Sequence, residues 1–418
     1  MPHRLTLAAV VALVLTSHAL AGNWPQWRGP GNTGVSPAKN APTQWSESEN
    51  VLWKIDLPGP AGSTPVVWGD RIFLTSTYND GVVLACYSTA GKPVWRRPIT
   101  QGNRSVRGDE GNSASPSPST DGQRVYAMAR GDLRAFTLDG DEVWHVDLES
   151  RYGQFKIAFG MTSTPVLDGD RLYLQLIHSG GAWVVALDTA TGREIWKHER
   201  KSDGRAECEH SYASPVMWEG KDGKFLVTHG NDYAIGHSLE DRSAIWRVGD
   251  LNPKSSYNST LRFVASPAVS PELIVVPTAK RRDIVGVVPN AKGYVDRGHK
   301  FEQWRLDRKT PDVPSPLIHD GLVYICSEGG ELTVADAKTG EIHYEENLHR
   351  NRYRASPVYA DGKIYCTARD GVVSVVKAGK EFYRVAENKV DDQLAASPVI
   401  VDGRIYLRGF KTLYAIGK

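Results

Sequence analysis

The chain has 418 residues, with 50 lysines and arginines against 48 aspartates and glutamates. That near-balance excludes the broad basic face of a nucleic-acid binder or a membrane-surface binder. Four cysteines in so long a chain exclude a disulfide-framed fold.

In chain order, the first 21 residues read as a secretory signal peptide. His3 and Arg4 form a polar start, residues 5–15 an apolar run too short to span a bilayer, and Ala19–Ala21 a small-x-small cleavage site. No cysteine follows that run, so no lipid anchor is expected, and no later apolar stretch is long enough for a membrane span. The expectation is a periplasmic or secreted protein cut after Ala21. Residues 22–50 read as an N-terminal extended arm, and residues 51–418 as a single repeat domain and a monomer.

The repeat is marked by a Ser/Thr-Pro step before a short apolar run. Its prolines are Pro65, Pro116, Pro165, Pro215, Pro267, Pro316, Pro357 and Pro398, most of them 49–52 residues apart and the last three 41 apart. After each step comes a tight Gly-Asp or Asp-Gly turn, such as Gly69-Asp70 or Asp402-Gly403, whose residues tolerate the positive φ of a two-residue hairpin. In the fifth repeat "SPEL" (270–273) takes that place. A second strand ("RIFLT", "RLYLQ", "KIYCT"), a third ("VVLACY", "WVVALD", "LTVAD") and a second turn follow. The fourth strand ends on an aromatic: Trp95, Trp144, Trp196, Trp246, Trp304, Tyr344, then Phe382 or Tyr383. These aromatics are expected to dock neighbouring sheets. A buried Trp removes about 150–250 Å² from water, an upper bound of roughly 4–6 kcal/mol each.

The fold class that follows is all-β: an eight-bladed β-propeller of four-stranded antiparallel blades. The last repeat stops one strand short, and "VLWKI" (51–55), with Trp53, stands ahead of the first. Placed as the outer strand of the last blade, residues 51–55 close the ring and cover its edge.

"ALDTATGREIW" (186–196) and "VADAKTGEIHY" (334–344) resemble the Ala-x-Asp-x-x-Thr-Gly-x-x-x-Trp repeat of the pyrroloquinoline quinone (PQQ) propeller superfamily. "NWPQWRGPGNTGVS" (23–36) resembles the segment ahead of the first blade in exported quinoprotein-like chains. The resemblance spans the chain after residue 21 and implies one of two functions. One is that of a BamB-like scaffold, with a protein partner and no catalysis. The other is that of a PQQ- and calcium-dependent dehydrogenase of alcohols or sugars. The enzymes resemble one another in a calcium held by Glu and Asn, a catalytic Asp, a Trp under the quinone and, in several, a disulfide between adjacent cysteines. This chain has no Cys-Cys pair, no Cys-x-x-Cys-His for a haem domain, and shorter inter-strand loops. The expectation is a binding or scaffold module, with PQQ and calcium the cofactors of the alternative.

Loops entering the innermost strands surround one mouth of a propeller's channel. Here they carry Arg107, Asp109, Glu110, Asn112, Lys156, Glu209, His210, Tyr212, Arg262, Arg354 and Asp392. Of these, Arg107, Glu110, Asn112, His210, Arg262 and Arg354 are the candidates for holding a small, polar, anionic ligand; no catalytic or metal-binding residue is assigned. Cys208 and His210 have metal-ligand spacing but lack further ligands nearby, and the basic run 279–283 reads as a solvated loop. Cys86, Cys208, Cys326 and Cys366 read as buried free thiols. Cys326 and Cys366 recur at nearly the same place in adjacent repeats, but sheets about 10 Å apart are far for a bridge.

Overall fold

A computed structural model describes residues 22–104 and 111–418; the expected signal peptide lies outside them. The described residues form eight antiparallel sheets in a ring. Blades 1 to 8 begin at innermost strands Val66–Trp68, Ser119–Thr120, Val166–Asp168, Val216–Gly220, Ala268–Val269, Leu317–His319, Val358–Ala360 and Val399–Val401. The last sheet is completed by Val51–Asp56, antiparallel to Thr412–Ile416, so the ring closes as the sequence implied. One five-residue helix, Leu148–Tyr152, is the only α-helix among the described residues.

The Ser/Thr-Pro step has a structural reason. Proline fixes φ and offers no N–H at the start of the innermost strand. The residue before it serves a belt around the channel. The Thr64 amide donates to Ser117 Oγ, Ser117 to Thr164, Thr164 to Ser214, Ser214 to Ser266, Ser266 to Ser315, Ser315 to Ser356 and Ser356 to Ser397, all at 2.8–3.1 Å. Where blade 8 meets blade 1, the buried Arg408 guanidinium donates to Ser63 O at 3.0 Å. The belt moves the second repeat's anchor from Pro116 to Pro118, because Ser117 carries the hydroxyl and Ser119 starts the strand. "SPSP" (115–118) offers both registers, and spacing alone cannot choose.

The docking aromatics also behave as a series. The indole N–H of Trp53 donates to Thr89 O, Trp95 to Leu138 O, Trp144 to Thr189 O and Trp304 to Ala337 O, at 2.8–3.0 Å. Each acceptor lies in the second turn of the next blade, and each ring rests on that turn's glycine. A Cβ on Gly91, Gly140, Gly192 or Gly340 would lie 2.7–2.8 Å from the indole. Trp196 and Trp246 are buried too, but their indole nitrogens have no hydrogen-bond partner among the described residues. The blades that follow them lack the turn glycine at that place: Arg242 stands at the positive-φ position in blade 4, and blade 5 makes a longer excursion. In blade 7, Phe382 packs on Tyr344 and Tyr383 is exposed.

Two strands have no counterpart in the repeat. Gly293–Val295, from the excursion in blade 5, pairs in parallel with the outer strand of blade 4. Val35–Ser36, from the arm, pairs in parallel with the innermost strand of blade 7. The arm crosses one end of the channel. Trp24 exchanges backbone bonds with Val67 of blade 1, and Pro25 O accepts from Thr120 of blade 2. Gln26 accepts from the Leu167 amide of blade 3, and fully buried Arg28 donates to Pro316 O of blade 6. Gly34 O accepts from Tyr359 of blade 7, and Ser36 donates to Ile400 O of blade 8. Hydrophobic contact lies between blades rather than in one centre; the largest cluster joins the arm to blades 7, 8 and 1.

Candidate functional site

With one end crossed by the arm, the described residues leave the other end as a mouth. The narrow channel holds about 140 Å³, walled by the serine–threonine belt and bounded by Trp27 from the arm. It widens into a cavity of about 680 Å³.

Four cationic side chains line that cavity: Arg262, Lys280, Arg352 and Arg354. They come from the loops between blades 4 and 5 and between blades 6 and 7, and from the loop between the second and third strands of blade 5. Two carboxylates, Asp312 and Glu328, stand among them. The opposite wall is small: Gly62, Gly111, Ser115 and Ala395.

The charges are held rather than dangling. Arg262 pairs with Glu207 at 2.5 Å and lies 4.6 Å over the Phe159 ring, which meets Tyr212 edge-on at 5.8 Å. Arg354 donates to Glu328 at 3.0 Å. Lys280 donates to Thr260 Oγ1 at 2.5 Å, and its amide donates to Asp312 Oδ1 at 3.2 Å. Burial, then the facing Glu328, pushes the Asp312 carboxyl up to about 6. Glu328 moves the other way: against the cost of its own burial, Asp312 and Arg354 hold it below the usual carboxylate range. The two carboxyls thus share their proton unequally, and the mouth keeps a cationic excess.

The sequence candidates divide. Arg262 and Arg354 line the mouth, as does Tyr212. Arg107, Asp109 and Glu110 fall outside the described residues. Asn112 ties loops together, donating to Pro60 O at 2.8 Å and accepting from the Ala114 amide at 2.9 Å. His210 is buried beside Tyr212, its proton affinity lowered by that burial, and is not in the cavity wall. Asp392 accepts from the amides of Lys411 and Thr412 at 2.9 Å and so serves the last hairpin. Lys156 and Glu209 are likewise absent from the wall.

Lys280, Asp312, Glu328 and Arg352 were not singled out from sequence. The loops between second and third strands open on the same face as the loops before Ser-Pro, since each strand reverses the last. That alternation was the available signal for Lys280 and Glu328; Asp312 and Arg352 sit in the pre-Ser-Pro loops themselves.

The family described as outer membrane protein assembly factor BamB matches residues 129–295 and again 293–409, together more than half of the chain. The chain belongs to this family. A BamB from Yersinia pestis is 24% identical over 243 residues, covering 55% of this chain and 56% of that protein, so the chain spans about half the length of this curated relative. Among solved structures, BamB from Moraxella catarrhalis superposes with a TM-score of 0.64 at 14% identity, over 88% of this chain and 97% of that one. A quinohemoprotein alcohol dehydrogenase from Comamonas testosteroni gives 0.66 at 13% identity, over 95% and 81%. A europium-containing methanol dehydrogenase gives 0.68 at 12%, over 95% and 98%. At such identities the structural likeness shows the fold alone. Membership of the BamB family therefore leaves the site to be read from its own residues.

The donor set can be tested against the cofactors the dehydrogenase fold suggests. Among the described residues no three His, Cys, Asp or Glu side chains converge on a metal position. Glu207 and Glu328 are engaged by arginines, and Asp312 faces Glu328. The cations suit a polycarboxylate, a property that PQQ shares with acidic peptides and many small metabolites. No helix among the described residues is long and apolar enough to cross a membrane.

Proposed function

We propose that this BamB-family chain is an exported binding module whose cationic mouth receives an acidic segment of a protein partner, and that it carries out no redox chemistry. The observation that carries the reading is the mouth itself. Four cations line one side of a cavity of about 680 Å³, while its carboxylates are engaged by arginine or by each other. Charge-assisted bonds to arginine forks recognise carboxylates strongly, and the small wall leaves room for a backbone to lie close. The Trp27 boundary limits how deep a segment can reach. The relative from Yersinia pestis is named for outer-membrane protein assembly, a role that requires protein partners.

The test is calorimetric titration of the purified protein with a glutamate-rich dodecapeptide and with citrate. Binding should weaken about tenfold or more in an Arg262→Ala/Arg354→Ala variant and fall with added salt. A parallel titration with PQQ and calcium, followed by dye reduction with an alcohol and sugar panel, tests the dehydrogenase alternative. A bound-quinone spectrum with turnover would replace the binding-module reading.

A further inference from the structure

All four cysteines are buried thiols, but they are not equivalent. Cys326 ends the second strand of blade 6, Leu322–Cys326, and Cys366 lies in the second strand of blade 7, Lys363–Thr367. Side chains alternate along a strand. Tyr324 and Cys326 therefore share one face, and Ile364 and Cys366 share another. All four belong to a single apolar cluster between the two blades, whereas Tyr365, on the other face of its strand, packs toward the arm and blade 8. The two cysteines thus face each other across one interface. The Cys366 thiol and then burial push Cys326 well above the ordinary thiol range, as a second buried thiol nearby would. Cys86 and Cys208 sit in two other clusters, and Cys208 contacts Asn258 O at 3.2 Å.

We propose that Cys326 and Cys366 are the chain's one disulfide-forming pair, an inter-blade staple that closes when the protein folds in an oxidising compartment. The compartment in that statement rests on the expected export of the chain. In the step, a thiolate from one cysteine attacks a disulfide-bearing oxidant to give a mixed disulfide. The second thiolate then displaces the oxidant's sulfur. Two S–H bonds are lost, one S–S bond forms, and the oxidant leaves as its dithiol or as two thiols, carrying the two electrons and two protons. Buried thiols with raised pKa are poor nucleophiles. Closure therefore belongs to folding, while the strands are still exposed, rather than to the finished ring. This differs from a bridge between repeats at the full sheet spacing, because both side chains enter the one apolar layer between the blades.

The experiment is refolding in a glutathione redox buffer, then denaturation, iodoacetamide alkylation and mass measurement. The expected result is two alkylated cysteines, Cys86 and Cys208, and a reducible peptide pair joining Cys326 to Cys366. Four alkylated cysteines, or a bridge involving Cys86 or Cys208, would overturn the proposal. The bridged form should melt higher than the reduced form by on the order of 5 °C, and the difference should vanish in Cys326→Ser and in Cys366→Ser. The alkylation pattern of the parent protein decides the matter even if either variant fails to fold.

Discussion

Truncating Trp144 to alanine separates two contributions that the docking series combines. The Trp144 side chain is about nine-tenths buried between blades 2 and 3, its ring resting on Gly192 and its N–H bonded to Thr189 O at 3.0 Å. Removing a large buried aromatic costs about 3–5 kcal/mol, and the hydrogen bond adds about 1 kcal/mol. The Tyr126 hydroxyl lies 3.2 Å from Thr189 O, but its one proton goes to Asp121 at 2.6 Å, so the truncation takes the carbonyl's indole donor without replacing it. Trp196→Ala is the natural comparison, since that ring is buried too but its nitrogen has no partner among the described residues. Trp144→Ala should therefore lie near the top of the range and Trp196→Ala about 1 kcal/mol below it. Guanidinium titrations followed by fluorescence and circular dichroism measure both. A Trp144→Ala midpoint no lower than that of a surface substitution would refute the docking role. Equal losses in the two variants would refute the assignment of the difference to the hydrogen bond.

Three further outcomes are expected. Gly340→Ala should destabilise by about 1–3 kcal/mol, because φ is +74° and the new methyl would lie 2.8 Å from Trp304; an unchanged midpoint would show that the turn yields freely. Buried His229 and His237 lie near buried Arg200, which bonds Thr228, Asn231 and the Tyr233 carbonyl but no carboxylate among the described residues; burial first, and then that cation, lowers both histidines from 6.5 to about 3. Their folded values lie below their unfolded ones, so the unfolded chain binds more protons below pH 6.5. Stability is full above that pH and should fall by about 1.4 kcal/mol per unit for each histidine as pH drops toward 3. His229→Leu should remove one histidine's share of that slope in titrations at pH 7, 6 and 5. At the mouth, Asp312→Asn should tighten citrate binding above pH 6, where the parent carboxyl ionises, and change it little below; equal tightening at pH 5 would contradict the assignment.

Much of the ring was legible because its signals are local and repeated. The Ser-Pro step, the Asp-Gly turns and Trp53 ahead of the first repeat each reflect a constraint inside one blade or between neighbours. What escaped depends on contacts the period does not encode. The arm's path follows from Arg28 and Gln26 finding carbonyls and amides on blades far along the chain. The parallel strand Gly293–Val295 exists because a long excursion finds a free edge on the sheet before it. Lys280 reads as one charge of a basic run, yet it alone of that run lines the mouth; Arg282 instead bonds Ser256. Charge in a loop is visible in sequence, but its direction is not.

The pairing of Val51–Asp56 with Thr412–Ile416 joins nearly the first described strand to the last described one. During synthesis the early strand and Trp53 must wait, unpaired, until almost the whole chain has emerged. The entropy of bringing such distant segments together rises only slowly with length, about 0.6 kcal/mol per doubling, so the delay is kinetic rather than thermodynamic. Long-range pairing of this kind is slow, and a chain stopped short of Thr412 would leave the third-strand edge of blade 8 unmade and Trp53 without its sheet. Emergence of Thr412–Ile416 is thus the event that permits the circle to form.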